Sequence, residues 1–165
     1  MMIKILMIED DVELAQLLQE SLLKEEIDTI LAFTPLDGLT ALQHDTFDAL
    51  VLDLSLPQID GLEICRIVHE AIPSLPIIIS SARSDMGDKV MGFERGADDF
   101  LPKPYDPREL AYRLRAILRR GNFAGDVSPK IFSIDEERHS IKRGHKEVKL
   151  TMAEYDIVAY MLKKE

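Results

Sequence analysis

Three acidic residues, a serine and a lysine are the side chains of this sequence with the clearest chemical potential. Glu9 and Asp10 follow one apolar run, Asp53 follows another, Ser81 ends a third, and Lys103 follows a fourth. Clustered carboxylates suit Mg²⁺, which proteins commonly hold through one or two carboxylates together with phosphate oxygens. An aspartate can also act as a nucleophile and form an acyl phosphate. The set predicts Mg²⁺-dependent phosphoryl chemistry with Asp53 as the acceptor.

Each of these residues also has an ordinary structural interpretation. Asp53 alone could equally be a turn or helix-capping aspartate, because Pro57 and Gly61 follow it in a loop. Ser81 could cap a strand end, and Lys103 could be a surface lysine. The chemical interpretation therefore depends on whether the fold brings these side chains to one place.

The hydrophobic pattern predicts alternating strands and helices that would do so. Apolar runs predict five strands, at 2–8, 27–33, 48–53, 75–81 and 97–101. Helical spacing between them predicts five helices, at 12–22, 35–44, 60–72, 85–95 and 107–120. Such alternation implies right-handed crossovers and an α/β fold with a doubly wound, five-stranded parallel sheet. Ligands of these sheets bind outside the carboxyl ends of the strands, where the acidic residues, the serine and the lysine lie.

Composition narrows the class of protein. The net charge of −10 argues against a grip on nucleic acid through phosphates by the chain as it stands. All of that charge lies in residues 1–121, because residues 122–165 contain eight basic and eight acidic residues. The single cysteine, Cys65, excludes an internal disulfide and a cysteine metal site. No apolar run approaches the roughly 20 residues that span a bilayer, and no signal peptide is evident. These features predict a cytoplasmic protein without a membrane partner.

Residues 1–121 resemble the receiver domain of bacterial two-component response regulators, a flavodoxin-like fold. The match rests on the acidic pair Glu9-Asp10, the phosphoacceptor position Asp53, the hydroxyl position Ser81, the aromatic switch position Phe100, and Lys103-Pro104 as the lysine followed by a cis peptide. The stretches 56–61 and 96–100 resemble two further parts of the family pattern. Each motif alone is weak, but their order along the chain is specific.

The resemblance implies a role for each residue of the acidic edge. Mg²⁺ would be bound by Asp10, Asp53 and the carbonyl of Ser55, with Glu9 acting mainly through water. A cognate histidine kinase would supply the phosphoryl group to Asp53. The protein would then be a phosphoacceptor regulator and not an enzyme, apart from phosphotransfer to itself and self-directed dephosphorylation.

The resemblance also implies a switch. Ser81 would move toward the phosphoryl oxygens, Phe100 would turn inward into the space it vacates, and Lys103 would neutralise another phosphoryl oxygen. Two residues depart from the commoner pattern: Ser81 stands where many relatives have threonine, and Phe100 replaces a tyrosine. The hydroxyl is kept at the first position, whereas a phenolic hydroxyl is absent from the second.

The segment 85–120 resembles the OmpR/PhoB subfamily, whose last two helices, with the strand between them, form a symmetric active homodimer. Carried over by position, the implied intersubunit pairs are Lys89–Glu109, Asp99–Arg113, Glu94–Arg115 and Asp98–Arg120. The implied apolar patch between them contains Val90, Phe93 and Ala111. Without the resemblance, solvated surface charges would be the favoured interpretation, because exposed ion pairs contribute little individually.

The remaining residues predict a second, incomplete α+β unit. Residues 122–129 have the composition of a linker. The stretches 130–134, 139–143 and 147–150 predict short strands, and residues 151–154 form a capping box that predicts a helix through Lys164. Residues 130–165 resemble the N-terminal part of a winged-helix DNA-binding domain without its recognition helix. This chain is therefore expected not to bind promoter DNA, whereas the full-length protein would.

Three functional classes follow from these observations. The favoured one is a phosphorylation-controlled transcription regulator. The second is a Mg²⁺-dependent aspartyl-phosphate hydrolase, although that family prefers a second aspartate where this sequence has Ser55. The third is a regulator that dimerises without phosphate.

Overall fold

The computed structural model of the chain describes residues 2–83 and 85–121, together with three short strands beyond them. The first part contains the strands β1 (Ile3–Ile8), β2 (Ile27–Ala32), β3 (Ala49–Leu52), β4 (Ile77–Ser81) and β5 (Asp99–Pro102). The helices between and after them are α1 (Val12–Leu23), α2 (Pro35–His44), α3 (Gly61–Ala71), α4 (Met86–Glu94) and α5 (Pro107–Gly121). All ten predicted elements are present, and their ends differ from the predicted ones by at most two residues.

The five strands form a single parallel sheet in the order β2-β1-β3-β4-β5. The predicted α/β fold is therefore confirmed. The chain runs outward from β1 to β2 and then crosses back past β1 to β3, so the strand order reverses between β1 and β3. Such sheets bind ligands at this point of reversal. In the pairing of β1 with β3, Ile8 stands opposite Leu52. That register brings the residues that follow the two strands, Glu9 and Asp53, side by side.

Alternating strand residues feed two cores, one on each face of the sheet. On one face, Leu6 and Ile8 of β1 join the buried residues of α2 and α3, among them Cys65. On the other face, Ile5 and Met7 join the buried residues of α1 and α5. Each face of β3 is covered in the same way, which explains why its four residues are all apolar.

The α3 and α4 helices begin with aspartate caps. Asp60 accepts a hydrogen bond from the Leu62 N–H, and Asp85 accepts one from the Asp88 N–H. Such caps satisfy main-chain donors that have no partner inside the helix. The α1 helix begins in the same way, because Asp11 accepts a hydrogen bond from the Leu14 N–H.

Beyond residue 121 the structure describes an antiparallel sheet with the order β6-β7-β8. Its strands are β6 (Ser133–Asp135), β7 (Ser140–Arg143) and β8 (Lys146–Lys149), which correspond to the three predicted short strands. The predicted linker 122–129 and helix 151–164 lie outside the described residues. Among the residues that the structure describes, no helix has the length and apolar character to span a membrane.

Candidate phosphoacceptor and metal site

Three carboxylates meet at the carboxyl ends of β1 and β3. The Asp53 N–H donates to the carbonyl oxygen of Ile8 at 3.1 Å, so the β1–β3 ladder continues one residue past β3. Ligand oxygens of Glu9, Asp10 and Asp53 all lie within 4.8 Å of one another. Glu9 and Asp53 are buried, and Asp10 is exposed. Hard oxygen donors at this spacing fit a magnesium ion, and the exposed side at Asp10 leaves an approach from solvent.

Lys103 supplies the positive charge of the cluster. Its Nζ donates to Glu9 Oε1 and also lies 3.4 Å from Asp53 Oδ2. The Lys103 N–H donates to the carbonyl oxygen of Ser81 at 2.9 Å, and the Lys103–Pro104 peptide is cis. The ends of β1, β3, β4 and β5 are therefore connected through this one residue.

The buried charges alter one another's protonation. Burial raises the pKa of Glu9 to about 7, and the hydrogen bond from Lys103 only partly offsets this effect. Burial acts on Lys103 in the opposite sense, but the hydrogen bond to Glu9 and the charge of Asp53 raise the pKa of its ammonium group overall. Lys103 therefore stays a cation at neutral pH, while Glu9 exchanges its proton near neutrality.

The loop after β3 holds the Asp53 carboxylate from its other side. The Ser55 N–H donates to Asp53 Oδ1 at 3.1 Å, while Lys103 lies next to Oδ2. Gly61 closes this loop: a Cβ atom there would lie 2.4 Å from both the Asp53 carbonyl oxygen and Leu54 Cα. Only glycine allows α3 to begin so close to the backbone of Asp53.

Ser81 and Phe100 lie on β4 and β5 behind this cluster. Ser81 is fully buried, and its Oγ accepts a hydrogen bond from the Arg83 N–H at 3.0 Å. Phe100 belongs to the α2–α3 core, and its ring would be 3.5 Å from a Cβ atom placed on Gly92 of α4. The Phe100 side chain is thus inward in this structure.

Comparison with known proteins identifies the family. Residues 5–115 match the response regulator receiver domain. The chain belongs to the two-component response regulators. It is 40% identical over 161 residues to the response regulator ArlR of Staphylococcus aureus, which covers 98% of this chain and 73% of ArlR. The predicted OmpR/PhoB-type response regulator is thereby confirmed, and membership in this family implies a histidine kinase as a partner.

Solved receiver domains share the fold. The receiver domain of the Francisella response regulator 1452 is 31% identical, with a TM-score of 0.67 over 71% of this chain and 97% of that one. The BeF3-activated DrrB receiver domain is 33% identical, with a TM-score of 0.66 over 73% of this chain and 100% of that one.

In this response regulator, most of the predicted dimer face is accessible, but one predicted member is not. Val90 is 46% exposed and Phe93 is 50% exposed, and Glu94 and Asp98 are exposed as well. Ala111 is only 1% exposed, because it packs into the α1–α5 core. Ala111 therefore offers almost no accessible surface in this chain, and its part in the dimer contact stays a prediction.

Two arginines of the predicted intersubunit pairs have partners within the same chain. Both Asp99 carboxylate oxygens accept hydrogen bonds from Arg113, at 2.9 and 3.0 Å. Arg115 donates to the carbonyl oxygen and the carboxylate of Glu25, at 2.6 and 3.2 Å, whereas Glu94 was its predicted partner. For Arg113 and Arg115 to form the predicted pairs with a second subunit, these contacts within the chain would have to break.

The remaining predicted charges lie on the same face. Asp98 accepts a hydrogen bond from the Ile77 N–H at 2.9 Å, which ties it to the start of β4. Glu109 lies 3.6 Å from Arg113 on α5, and Lys89 is half-buried on α4. Arg120 is exposed and lines a 730 Å³ depression together with Asp98 and Arg113.

Sequence reasoning singled out neither Tyr105 nor Ser80. The Tyr105 hydroxyl lies 2.8 Å from Ser80 Oγ, close behind the lysine of the acidic cluster. Ser80 is a second buried polar residue in β4, next to Ser81, and this was the available signal.

Proposed function

We propose that this chain accepts a phosphoryl group on Asp53 from its cognate histidine kinase and that the modification promotes homodimerisation. The contact that carries the proposal is that of Lys103 Nζ with both Glu9 and Asp53. It places a fixed cation beside the candidate nucleophile, at the edge where three carboxylates converge. Buried cations and carboxylates at a strand edge are expected at a phosphoryl-transfer site, where charge stabilisation dominates catalysis.

The chain's own residues suggest how the transfer proceeds. One Asp53 carboxylate oxygen forms a bond to phosphorus while the phosphorus–nitrogen bond of the kinase phosphohistidine breaks, and the leaving nitrogen keeps the electron pair. The Ser55 N–H orients Asp53 through Oδ1, and Lys103 offsets negative charge near Oδ2. Mg²⁺, when bound by Asp10, Asp53 and the carbonyl of Ser55, with Glu9 acting mainly through water, would screen the charges of the attacking carboxylate and the phosphoryl oxygens.

The phosphoryl group would then bias two packings of the β4–α4 region. Ser81 gives up the Arg83 N–H and donates its hydroxyl proton to a phosphoryl oxygen. Phe100 stays inward in the phosphorylated packing and stabilises it. This is a population shift driven by new hydrogen bonds at Asp53.

The output would be a symmetric dimer through α4, β5 and α5. Phosphorylation would favour pairs between subunits over the existing pairs of Arg113 with Asp99 and of Arg115 with Glu25. A twofold axis makes each such pair occur twice, which favours one register. In the full-length protein, the receiver domain of residues 1–121, a linker of 122–129 and a winged-helix domain from residue 130 would convert dimerisation into promoter DNA binding.

The test uses phosphoramidate as a small phosphodonor and beryllofluoride as a phosphoryl analogue, both with Mg²⁺. Intact mass would report one added phosphoryl group on the wild-type chain and none on Asp53→Asn. Light scattering after size exclusion would show a monomer that becomes a dimer with beryllofluoride. Asp28→Asn, near the amino end of β2, is the matched control and should behave as wild type.

The outcomes separate the three functional classes. Phosphorylation that is confined to Asp53 and accompanied by dimerisation supports the regulator. Sustained release of phosphate from many donor molecules per chain would instead indicate an aspartyl-phosphate hydrolase. A dimer that is present without phosphate or analogue, and that does not respond to either, would indicate a phosphate-independent regulator.

A further inference from the structure

Tyr105 lies two residues after Lys103. It contacts β4 on the face of the sheet that is covered by α1 and α5. Its hydroxyl lies 2.8 Å from Ser80 Oγ, and its ring packs against the α1–α5 core. Burial raises the pKa of the Tyr105 phenol, although the hydrogen bond with Ser80 partly opposes this. The phenol therefore keeps its proton at neutral pH and can donate it to Ser80.

The segment 103–105 contacts the end of β4 through both its first and its last residue. On one side, the Lys103 N–H donates to the Ser81 carbonyl oxygen at 2.9 Å. On the other side, Tyr105 reaches Ser80. The segment 103–105 is thus attached at both ends to consecutive residues of the same strand. The Lys103 ammonium group must extend from this segment to Glu9 and Asp53.

The two serines serve different faces of the sheet. Ser80 shares its face with Ile78, which belongs to the α1–α5 core, whereas Ser81 shares its face with Ile79 of the α2–α3 core. Tyr105 therefore reaches Ser80 on the face opposite to the Ser81 hydroxyl. It can influence where Lys103 lies without contacting the phosphoryl group.

We propose that Tyr105 is a positioning residue for Lys103. The Tyr105–Ser80 hydrogen bond holds the backbone of residues 103–105 so that the ammonium group of Lys103 stays beside Asp53 during phosphoryl transfer. This inference rests on the proposed phosphoacceptor function. It assigns no contact with the metal ion to Tyr105, so it concerns the rate of transfer and not the affinity for Mg²⁺.

The test compares initial rates of Asp53 phosphorylation by phosphoramidate at saturating Mg²⁺ in the 165-residue chain. Tyr105→Phe removes only the hydroxyl, and a hydrogen bond of ordinary strength corresponds to a rate lower by about fivefold. Ser80→Ala should give the same loss, and the double variant should lose no more than either single one. Tyr112→Phe, which removes a hydroxyl from a tyrosine 69% exposed on α5, should leave the rate unchanged.

Two further measurements separate positioning from general damage to the site. Calorimetric titration with Mg²⁺ alone should give the same affinity for Tyr105→Phe as for the wild type, within about twofold. In a Lys103→Ala background, Tyr105→Phe should cause no additional loss of rate. If Tyr105→Phe proves too unstable to assay, Ser80→Ala tests the same bond while the ring stays in place.

Several results would overturn the inference. It fails if Tyr105→Phe and Ser80→Ala keep the wild-type rate, if their losses multiply in the double variant, or if the loss persists without Lys103. It also fails if the Mg²⁺ affinity drops in parallel with the rate. If the wild-type chain is phosphorylated and only the hydroxyl proves irrelevant, the proposed function survives. If the wild-type chain is not phosphorylated at Asp53, both fail.

Discussion

The α3 and α4 helices flank β4 and differ sharply in how they are attached. Seven of the eleven residues of α3 are buried, and they form much of the core on one face of the sheet. In α4, Gly92 is the only buried residue of nine. Since buried apolar area is the main source of stability, α3 is anchored by packing and α4 is not.

The α4 helix is held by polar contacts near its two ends, because it has almost no buried side chains. Near its first turn, Arg83 donates to Asp88 at 3.0 Å and to Asp60, the cap of α3, at 3.1 Å. Just past its last turn, Arg95 pairs with Glu63 of α3. Ion pairs of this kind exchange at little energetic cost, whereas a packed core does not. A structural change in β4 would therefore shift α4 more easily than α3.

The largest effect is expected from a matched pair of valines. Val68→Ala, at a position 1% exposed in α3, should lower the free energy of unfolding by about 2 to 3 kcal/mol, because it removes buried methyl groups and leaves a cavity. Val90→Ala, on the exposed side of α4, should change it by less than about 0.5 kcal/mol. Urea denaturation of both variants provides the measurement. Equal losses would show that α4 is packed as firmly as α3.

A second prediction concerns the acidic edge, none of whose ligands lies on α4. Because burial raises the pKa of Glu9 to about 7, protons compete with Mg²⁺. The affinity for Mg²⁺ should fall about tenfold when the pH is lowered from about 8 to about 6. Titration calorimetry would detect this, and Glu9→Gln should remove that part of the dependence. Glu20→Gln, on the exposed face of α1, should retain it.

The raised pKa of Glu9 also predicts how the stability of the fold depends on pH. The pKa of Glu9 in the folded chain lies above its ordinary value of 4.5. Without Mg²⁺, the Glu9 contribution to stability is therefore present below about pH 4.5 and is lost as the pH rises through about 7. A Glu9→Gln chain that still showed this loss would exclude Glu9 as the responsible group.

The third prediction compares two glycines within α4. Gly92→Ala would place a Cβ atom 2.7 Å from Ile79 Cδ1, so it should destabilise the fold by about 1 kcal/mol. Gly87→Ala meets only Asp85 Oδ1 at 3.4 Å and should instead stabilise by about 0.5 kcal/mol through helix propensity. Thermal unfolding of the two variants distinguishes them, and shifts of the same sign would contradict the close packing of α4 at Gly92.

The smallest effect on stability is expected from the polar contacts themselves. Arg83→Gln should lower stability by only about 0.5 kcal/mol, because the arginine is partly exposed. Amide hydrogen exchange should nevertheless speed up in α4 and remain unchanged in α3, since few other contacts hold α4. Arg66→Gln, which removes pairs with Glu63 and Glu70 on α3, is the matched control and should leave exchange in α3 slow.

The sheet and the acidic cluster were predictable because both follow from strand periodicity. The four apolar residues before Asp53 identify β3, and parallel pairing then brings its end beside the end of β1 and hence beside Glu9. No side-chain geometry is needed for that step. The same reasoning predicts that Lys103 faces this edge, because it follows β5.

The pairings of individual surface side chains were not predictable in this way. Arg115 contacts Glu25, 90 residues away, because α5 packs beside the end of α1, and only the packed structure reveals this contact within the chain. The burial of Ala111 does follow from the helical spacing of α5, which places it on the apolar side of the helix with Leu110 and Leu114. The Tyr105–Ser80 bond depends on the register of β4 against β5.

Gly61 has a consequence for how the acidic edge communicates with the rest of the molecule. Its α-carbon stands where no methyl group fits, directly against the carbonyl of Asp53, and its N–H donates to the Leu54 carbonyl oxygen at 3.0 Å. The main chain at Asp53 and the first turn of α3 are therefore packed directly against each other, which leaves little room for one to move without the other. If Asp53 accepts a phosphoryl group as proposed, this loop would yield little, and the displacement would instead be passed to β4 and to α4 beside it.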